Sequence, residues 1–158
     1  MSAAAPPAVA TVAEVRRAVA GVHDPEYPGV SIADLGLVEE VRLDGTRAEV
    51  DLIPTFSGCP ALAMIADDVR AAVLAVPGVE QAEVRWVPDG VWTPARLSAA
   101  GRATLAQEFT VVLRRADGTL VCPVCGSTAV ADTSDAGPTR CRSLAWCPDC
   151  RNPVEVLR

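Results

Sequence analysis

Residues 35–53 read LGLVEEVRLDGTRAEVDLI, a strand over residues 35–43, a hairpin turn at Asp44-Gly45 and a partner strand over residues 48–53. Downstream, Thr55-Phe56-Ser57-Gly58-Cys59-Pro60 forms a loop running straight into a helix. The helix turns Leu62, Ile65, Val69, Val73 and Val76 inward and is stopped by Pro77-Gly78. Ala82, Val84 and Trp86 then alternate with Glu83 and Arg85 as a third strand, which the intervening helix makes parallel to the second. Upstream, Val12, Val15, Val19 and Val22 recur at helical spacing. A last helix is expected from Thr93-Pro94 or Ser98 to about Glu108, with a further strand over residues 109–113. The reading is an α+β protein: a two-layer sandwich over residues 12–115 behind a flexible N-terminus, residues 1–11.

Beyond a joint at residues 114–119 the chemistry changes. Cys122-Pro-Val-Cys125 and Cys147-Pro-Asp-Cys150 are two matched pairs. Each Cys-x-x-Cys bends the backbone into a knuckle that aims two thiolates at one ion, and two knuckles complete the tetrahedral sulfur cage that zinc prefers, with iron as the runner-up. Pro123 and Pro148 stiffen the knuckles and Gly126 permits the turn after the first. Short strands over residues 128–132 and 140–146, a loop at residues 134–138 and a strand over 154–157 complete a small zinc-ribbon domain, residues 116–158. So short a segment buries little core, and the ion supplies much of its folding free energy. A disulfide framework belongs to secreted chains, and the Ala/Pro-rich N-terminus has neither the basic start nor the apolar run of a signal peptide or anchor.

Length and composition agree with one ordinary domain plus a metal-stapled one: 158 residues, half of them apolar, with few aromatics. The formal charge of −6, which four thiolates around a divalent ion make more negative, argues against nucleic acid as a partner. With no membrane-spanning run, the chain is expected to be soluble and cytoplasmic.

Outside the cage, Cys59 is the sharpest candidate. With Pro60 as first helical residue it would sit at or beside an N-cap, where backbone N–H groups favour a thiolate acting as nucleophile or soft-metal ligand; the competing reading is a small buried apolar residue. Asp24, before Pro25, reads as the start of a helical turn, and Asp24 and Glu26 are also hard-metal candidates. His23, the chain's one histidine, reads as a surface residue, Asp67 and Asp68 as solvated, and Trp92 as a core edge or a partner anchor. Cys141, outside both knuckles, is an additional thiol expected to stay reduced near the cage. No glycine-rich phosphate loop supports a nucleotide cofactor.

Asp24-Pro25-Glu26, Ser31-Ile32-Ala33-Asp34-Leu35-Gly36-Leu37-Val38, Pro54-Thr55-Phe56-Ser57-Gly58-Cys59-Pro60-Ala61 and Trp92-Thr93-Pro94 together resemble the SufT-like iron–sulfur assembly domain. With the knuckles and Thr139-Arg140-Cys141-Arg142-Ser143-Leu144 added, residues 12–158 are similar to the PaaD (PaaJ) family, a component of the bacterial phenylacetyl-CoA epoxidase system. The tail, residues 153–158, has fewer aromatics than that family's pattern. The resemblance implies a cytoplasmic accessory protein of phenylacetate catabolism without turnover of its own. Its partners would be the epoxidase subunits, with homodimerisation left open. It also implies that Cys59 handles transient iron or an iron–sulfur cluster, with Asp24 and Glu26 lining the same surface. The alternative is a zinc-ribbon adaptor that only holds epoxidase subunits together. A thiol-disulfide enzyme is disfavoured, because ligation consumes the knuckle thiols.

Overall fold

The structure is a computed structural model that describes residues 9–109 and 111–158. Most of the N-terminus expected to be flexible lies outside the described residues; within them, Ala10 is buried and Thr11 caps the first helix. Helix α1 (Val12–Ala20) opens on a capping box in which the Thr11 hydroxyl accepts the Glu14 N–H at 3.3 Å and the Glu14 carboxylate accepts the Thr11 N–H at 2.9 Å. Strands β1 (Val38–Asp44) and β2 (Arg47–Leu52) form the antiparallel hairpin, and β3 (Gln81–Trp86) pairs parallel with β2 after helix α2 (Leu62–Leu74). The sheet order is β1-β2-β3.

Strand alternation sends Ala48, Val50 and Leu52 into a core shared with Val15 and Val19 of α1 and Ile65, Val69 and Val73 of α2. The other face carries an ion-pair lattice in which Asp51 accepts from Arg42 at 2.7 Å and from Arg85 at 3.0 Å. Leu52 is fully buried, so Leu52→Ala should cost about 2–5 kcal/mol, read as a lower denaturant midpoint at unchanged slope.

The first strand begins later than the sequence predicts, because residues 31–37 are turned. The Ser31 hydroxyl donates to the Asp34 carboxylate at 2.9 Å and accepts the Asp34 N–H at 3.0 Å, and the Leu37 N–H reaches the Ile32 carbonyl. This turn is a dock for the segment before the last helix. The Trp92 indole N–H donates to the Leu35 carbonyl at 2.7 Å, Arg96 donates to the Gly36 carbonyl at 2.8 Å, and the Ser98 hydroxyl donates to Asp34 at 2.5 Å. Trp92 is therefore a buried core edge. Gly36 has φ +72°, and a Cβ there would fall 2.4 Å from the Arg96 carbonyl oxygen. Ser98 then caps α3 (Ala99–Glu108), accepting the Gly101 N–H at 2.9 Å.

The second sheet contains β4 (Val111–Leu113), β5 (Ala131–Ser134), β6 (Arg142–Cys147) and β7 (Asn152–Leu157), in the order β4-β7-β6-β5. The strand expected at residues 109–113 thus forms, but it pairs parallel with β7 in the ribbon's sheet and adds nothing to the first. Period-two alternation explains why: Val111 and Leu157 point into the first core while Val112 and Val156 point into a second with Leu120, Cys122, Cys147 and Val154. The aromatic-poor tail is this buried strand. No helix among the described residues is long and apolar enough to cross a membrane.

Candidate metal-handling sites

At the ribbon tip, the backbone rather than the side chains sets the geometry. In the first knuckle the Cys122 N–H reaches the Ser127 carbonyl at 2.8 Å and the Gly126 N–H reaches the Cys122 carbonyl at 2.9 Å, with Gly126 at φ +77°. In the second, the residue after the last cysteine is also left-handed, but it is Arg151, at φ +56°. A side chain there costs about 1–2 kcal/mol, partly offset by the greater chain entropy glycine loses on folding. Arg151→Gly should therefore stabilise the ribbon by about 0.5–1 kcal/mol, measured as a higher chelator concentration at half-unfolding.

The knuckles bring Cys122, Cys125, Cys147 and Cys150 together with all four Sγ atoms within 4.8 Å of one another, the closest pairs at 3.5 and 3.6 Å. All four are free thiols, and the separations suit a tetrahedral sulfur site, whose metal–sulfur bonds of ~2.3 Å place sulfurs ~3.8 Å apart. Their acidities favour an ion as well. Burial opposes ionisation of Cys122, yet the Cys125 and Val124 backbone N–H groups draw its thiol down to about 7. The Ser127 N–H pulls Cys125 the same way but loses to burial and the neighbouring thiols, which push it up to about 12. One thiolate forms readily and the next is opposed, a repulsion that a divalent cation reverses. The residues present fit a structural metal, which would tie β6 and its flanking turn to the 122–127 loop.

A second group of reactive side chains gathers where the ribbon meets the sandwich. The 23–31 loop is closed by a bridge between His23, which is exposed, and Ser31. The turn expected at Asp24 forms as a single turn: the Asp24 carboxylate accepts the Glu26 N–H at 2.8 Å and its carbonyl accepts the Tyr27 N–H at 3.3 Å, after which the chain turns back. Tyr27 is anchored edge-on to Phe109, with centroids 5.3 Å apart, and its hydroxyl accepts from the Arg142 guanidinium at 3.0 Å. The loop is thus gripped from both domains. Glu26 and Cys59 line one cleft of about 530 Å³, closed on its far side by residues 135–140 of the ribbon with Arg142 and Arg158. Asp24 is near enough that its charge acts on Cys59.

Two expectations are corrected here. Helix α2 begins at Leu62 with Ala61 as N-cap, so Cys59 lies two residues before the cap; the Pro60-Ala61 turn comes first. Burial, together with the Glu26 and Asp24 carboxylates, outweighs the Ala61 N–H and pushes the Cys59 thiol above its ordinary value. Cys59 therefore gains no helix-terminus stabilisation of a resting thiolate. Cys141 does not lie by the cage either: its Sγ donates to the Glu26 carboxylate at 2.7 Å, across the domain junction, and burial plus that hydrogen bond push it up to about 11. No local spacing relates Cys141 to Glu26, which is why sequence reasoning misses the pair. Asp67 is solvated and pairs with Arg70 at 2.6 Å.

Burial also raises Asp24, so its folded pKa exceeds the unfolded value. Stability from this group is then fullest below the unfolded pKa and falls as pH rises through the folded one. Asp24→Asn keeps the turn's acceptor without the charge, so it should raise the melting temperature at neutral pH and leave it unchanged once both forms are neutral in acid.

A three-stranded α+β sandwich carrying a cysteine on the loop before its second helix is joined to a β-ribbon whose four cysteines fit a metal site. Comparison with known proteins is specific on both halves. Residues 12–86 match the family described as iron-sulfur cluster assembly protein, and residues 106–158 match the PaaD zinc beta ribbon domain. The chain is 34% identical over 85 residues to the Fe-S protein maturation auxiliary factor SufT of Staphylococcus aureus, covering 53% of this chain and 96% of that one. It is 28% identical over 154 residues to a putative 1,2-phenylacetyl-CoA epoxidase component of Escherichia coli, covering 93% and 92%. A domain of unknown function from Bacillus anthracis superposes with a TM-score of 0.57 at 32% identity, over 61% of this chain and 92% of that one. The chain belongs to the SufT-like iron–sulfur cluster assembly family and carries a PaaD-type zinc ribbon.

Proposed function

We propose that the protein is a cytoplasmic accessory subunit of a phenylacetyl-CoA epoxidase system that assembles or inserts iron or an iron–sulfur centre in partner subunits, without turnover of its own. The observation that carries this reading is the cleft holding Cys59 beside Glu26, with Asp24 close by, on an iron–sulfur assembly fold. A soft thiol next to hard carboxylates suits ferrous iron, which accepts both donor types. The ribbon cysteines hold a structural zinc, and the sandwich and ribbon are the two working parts, divided near residue 115 with β4 as the strap between them. The similarity to the Escherichia coli epoxidase component points to the epoxidase subunits as partners. The test is the metal content of the epoxidase purified from cells that lack this protein: a deficit restored by the wild-type chain supports assembly. Full metal content with a dispersed complex would favour the adaptor reading.

A further inference from the structure

Cys141 has no part in the ribbon's cage. It is buried, held by the backbone of the tail through the Arg158 N–H at 2.9 Å, and flanked by the Thr139 hydroxyl at 3.2 Å. Its thiol is spent on Glu26, the carboxylate that lines the Cys59 cleft. Packing alone does not account for this arrangement, since a buried position facing a carboxylate is filled at less cost by a hydroxyl donor or, with Glu26 turned to water, by an apolar residue. Cys59 and Cys141 are also close enough that the charge of one bears on the other.

We propose that Cys141 is the second thiol of the Cys59 site, so that the interdomain cleft takes a thiophilic divalent cation, ferrous iron in the cell, between the two sulfurs and the Glu26 carboxylate. This rests on the assembly reading above and adds the ligand that the assembly domain alone lacks. Among the described residues the ribbon cysteines are the only group of three or more such side chains whose ligand atoms already lie within 4.8 Å of one another, while in the cleft the Cys141–Glu26 pair alone is drawn together, at 2.7 Å. The cleft site is therefore completed by the ion, as the 54–60 loop carrying Cys59 closes toward Cys141. In that step two S–H bonds break, two metal–sulfur bonds form, and two protons pass to solvent; no electron moves. Two thiolates and a carboxylate around a divalent ion leave one negative charge. Arg140 and Arg158, which line the cleft, are placed to balance it. The site exists only while ribbon and sandwich are packed together, which gives the ribbon a task beyond docking.

Cobalt(II), added anaerobically to the full chain with zinc in the ribbon, is the probe. The wild type should take up one further equivalent with a sulfur-to-cobalt charge-transfer band of two-thiolate intensity, and cobalt-edge absorption should count two sulfurs. Cys59→Ser and Cys141→Ser should each halve the band and weaken binding by about ten-fold or more. If Cys141→Ser keeps full intensity and affinity while Cys59→Ser does not, Cys59 acts without it: this inference falls and the assembly reading stands. Cobalt binding indifferent to both thiols overturns the two together. Should Cys141→Ser fail to fold, the sulfur count on the wild type still decides, two supporting the site and one overturning it.

Discussion

Cys59→Ser should leave the fold, the ribbon zinc and partner binding intact while the epoxidase purified alongside it is as metal-poor as that from a deletion strain. The side chain is half-buried on a loop and contributes no core contact of weight, so exchanging sulfur for oxygen perturbs packing little. Its Sγ is the soft donor of the assembly domain, and a serine hydroxyl does not ionise near neutral pH or bind a soft metal comparably. The measurement is partner metal content per subunit with growth on phenylacetate beside it. Full restoration by the serine variant would end the transfer mechanism and leave the adaptor reading in its place. Because burial and the nearby carboxylates make the Cys59 thiol less acidic than an ordinary cysteine, its alkylation by iodoacetamide should be slow at neutral pH and accelerate as pH rises.

Replacing any one of Cys122, Cys125, Cys147 or Cys150 by serine, or stripping the metal with a chelator, should unfold the ribbon. Its separate core is seven buried residues, two of them the ligands Cys122 and Cys147, too few to offset the chain entropy of the ribbon unaided. The loss should be large: structural zinc contributes about 10–16 kcal/mol of apparent binding free energy in small domains. The sandwich keeps the core built on Leu52, Ile65 and Val69. It loses the partners of β4, the Arg142–Tyr27 hydrogen bond and the Cys141–Glu26 contact, so the Cys59 cleft opens as the ribbon melts. Circular dichroism should report lost strand signal with the helices retained, and zinc should restore it. A disulfide between Cys147 and Cys150 in reduced protein, or metal content near zero without chelator, would contradict the cage.

The strong signals in the chain were local. Asp44-Gly45 between alternating strands, the apolar stripe from Leu62 to Val73 and the paired knuckles each act within a few residues, where turn chemistry, period and thiol spacing leave little freedom. The family motif 31–36 was legible as a pattern, but its purpose was not. Asp34 and Gly36 matter through Ser98 and Arg96, some sixty residues away, and neither end of such a contact marks the other.

Local chemistry thus settled an α+β sandwich, a four-thiol ribbon and the candidacy of Cys59, because hydrophobic period, turn residues and Cys-x-x-Cys spacing act at short range. Long-range packing settled the rest. It placed β4 in the ribbon's sheet, since alternate residues of β4 and β7 seal two different cores. It moved Cys59 off the helix cap and half-buried it near the Glu26 and Asp24 carboxylates, and burial first, then those charges, raise its pKa. It carried Cys141 across the junction to Glu26, 115 positions away, an encounter that no spacing rule encodes because it exists only once two separately built cores have closed on each other.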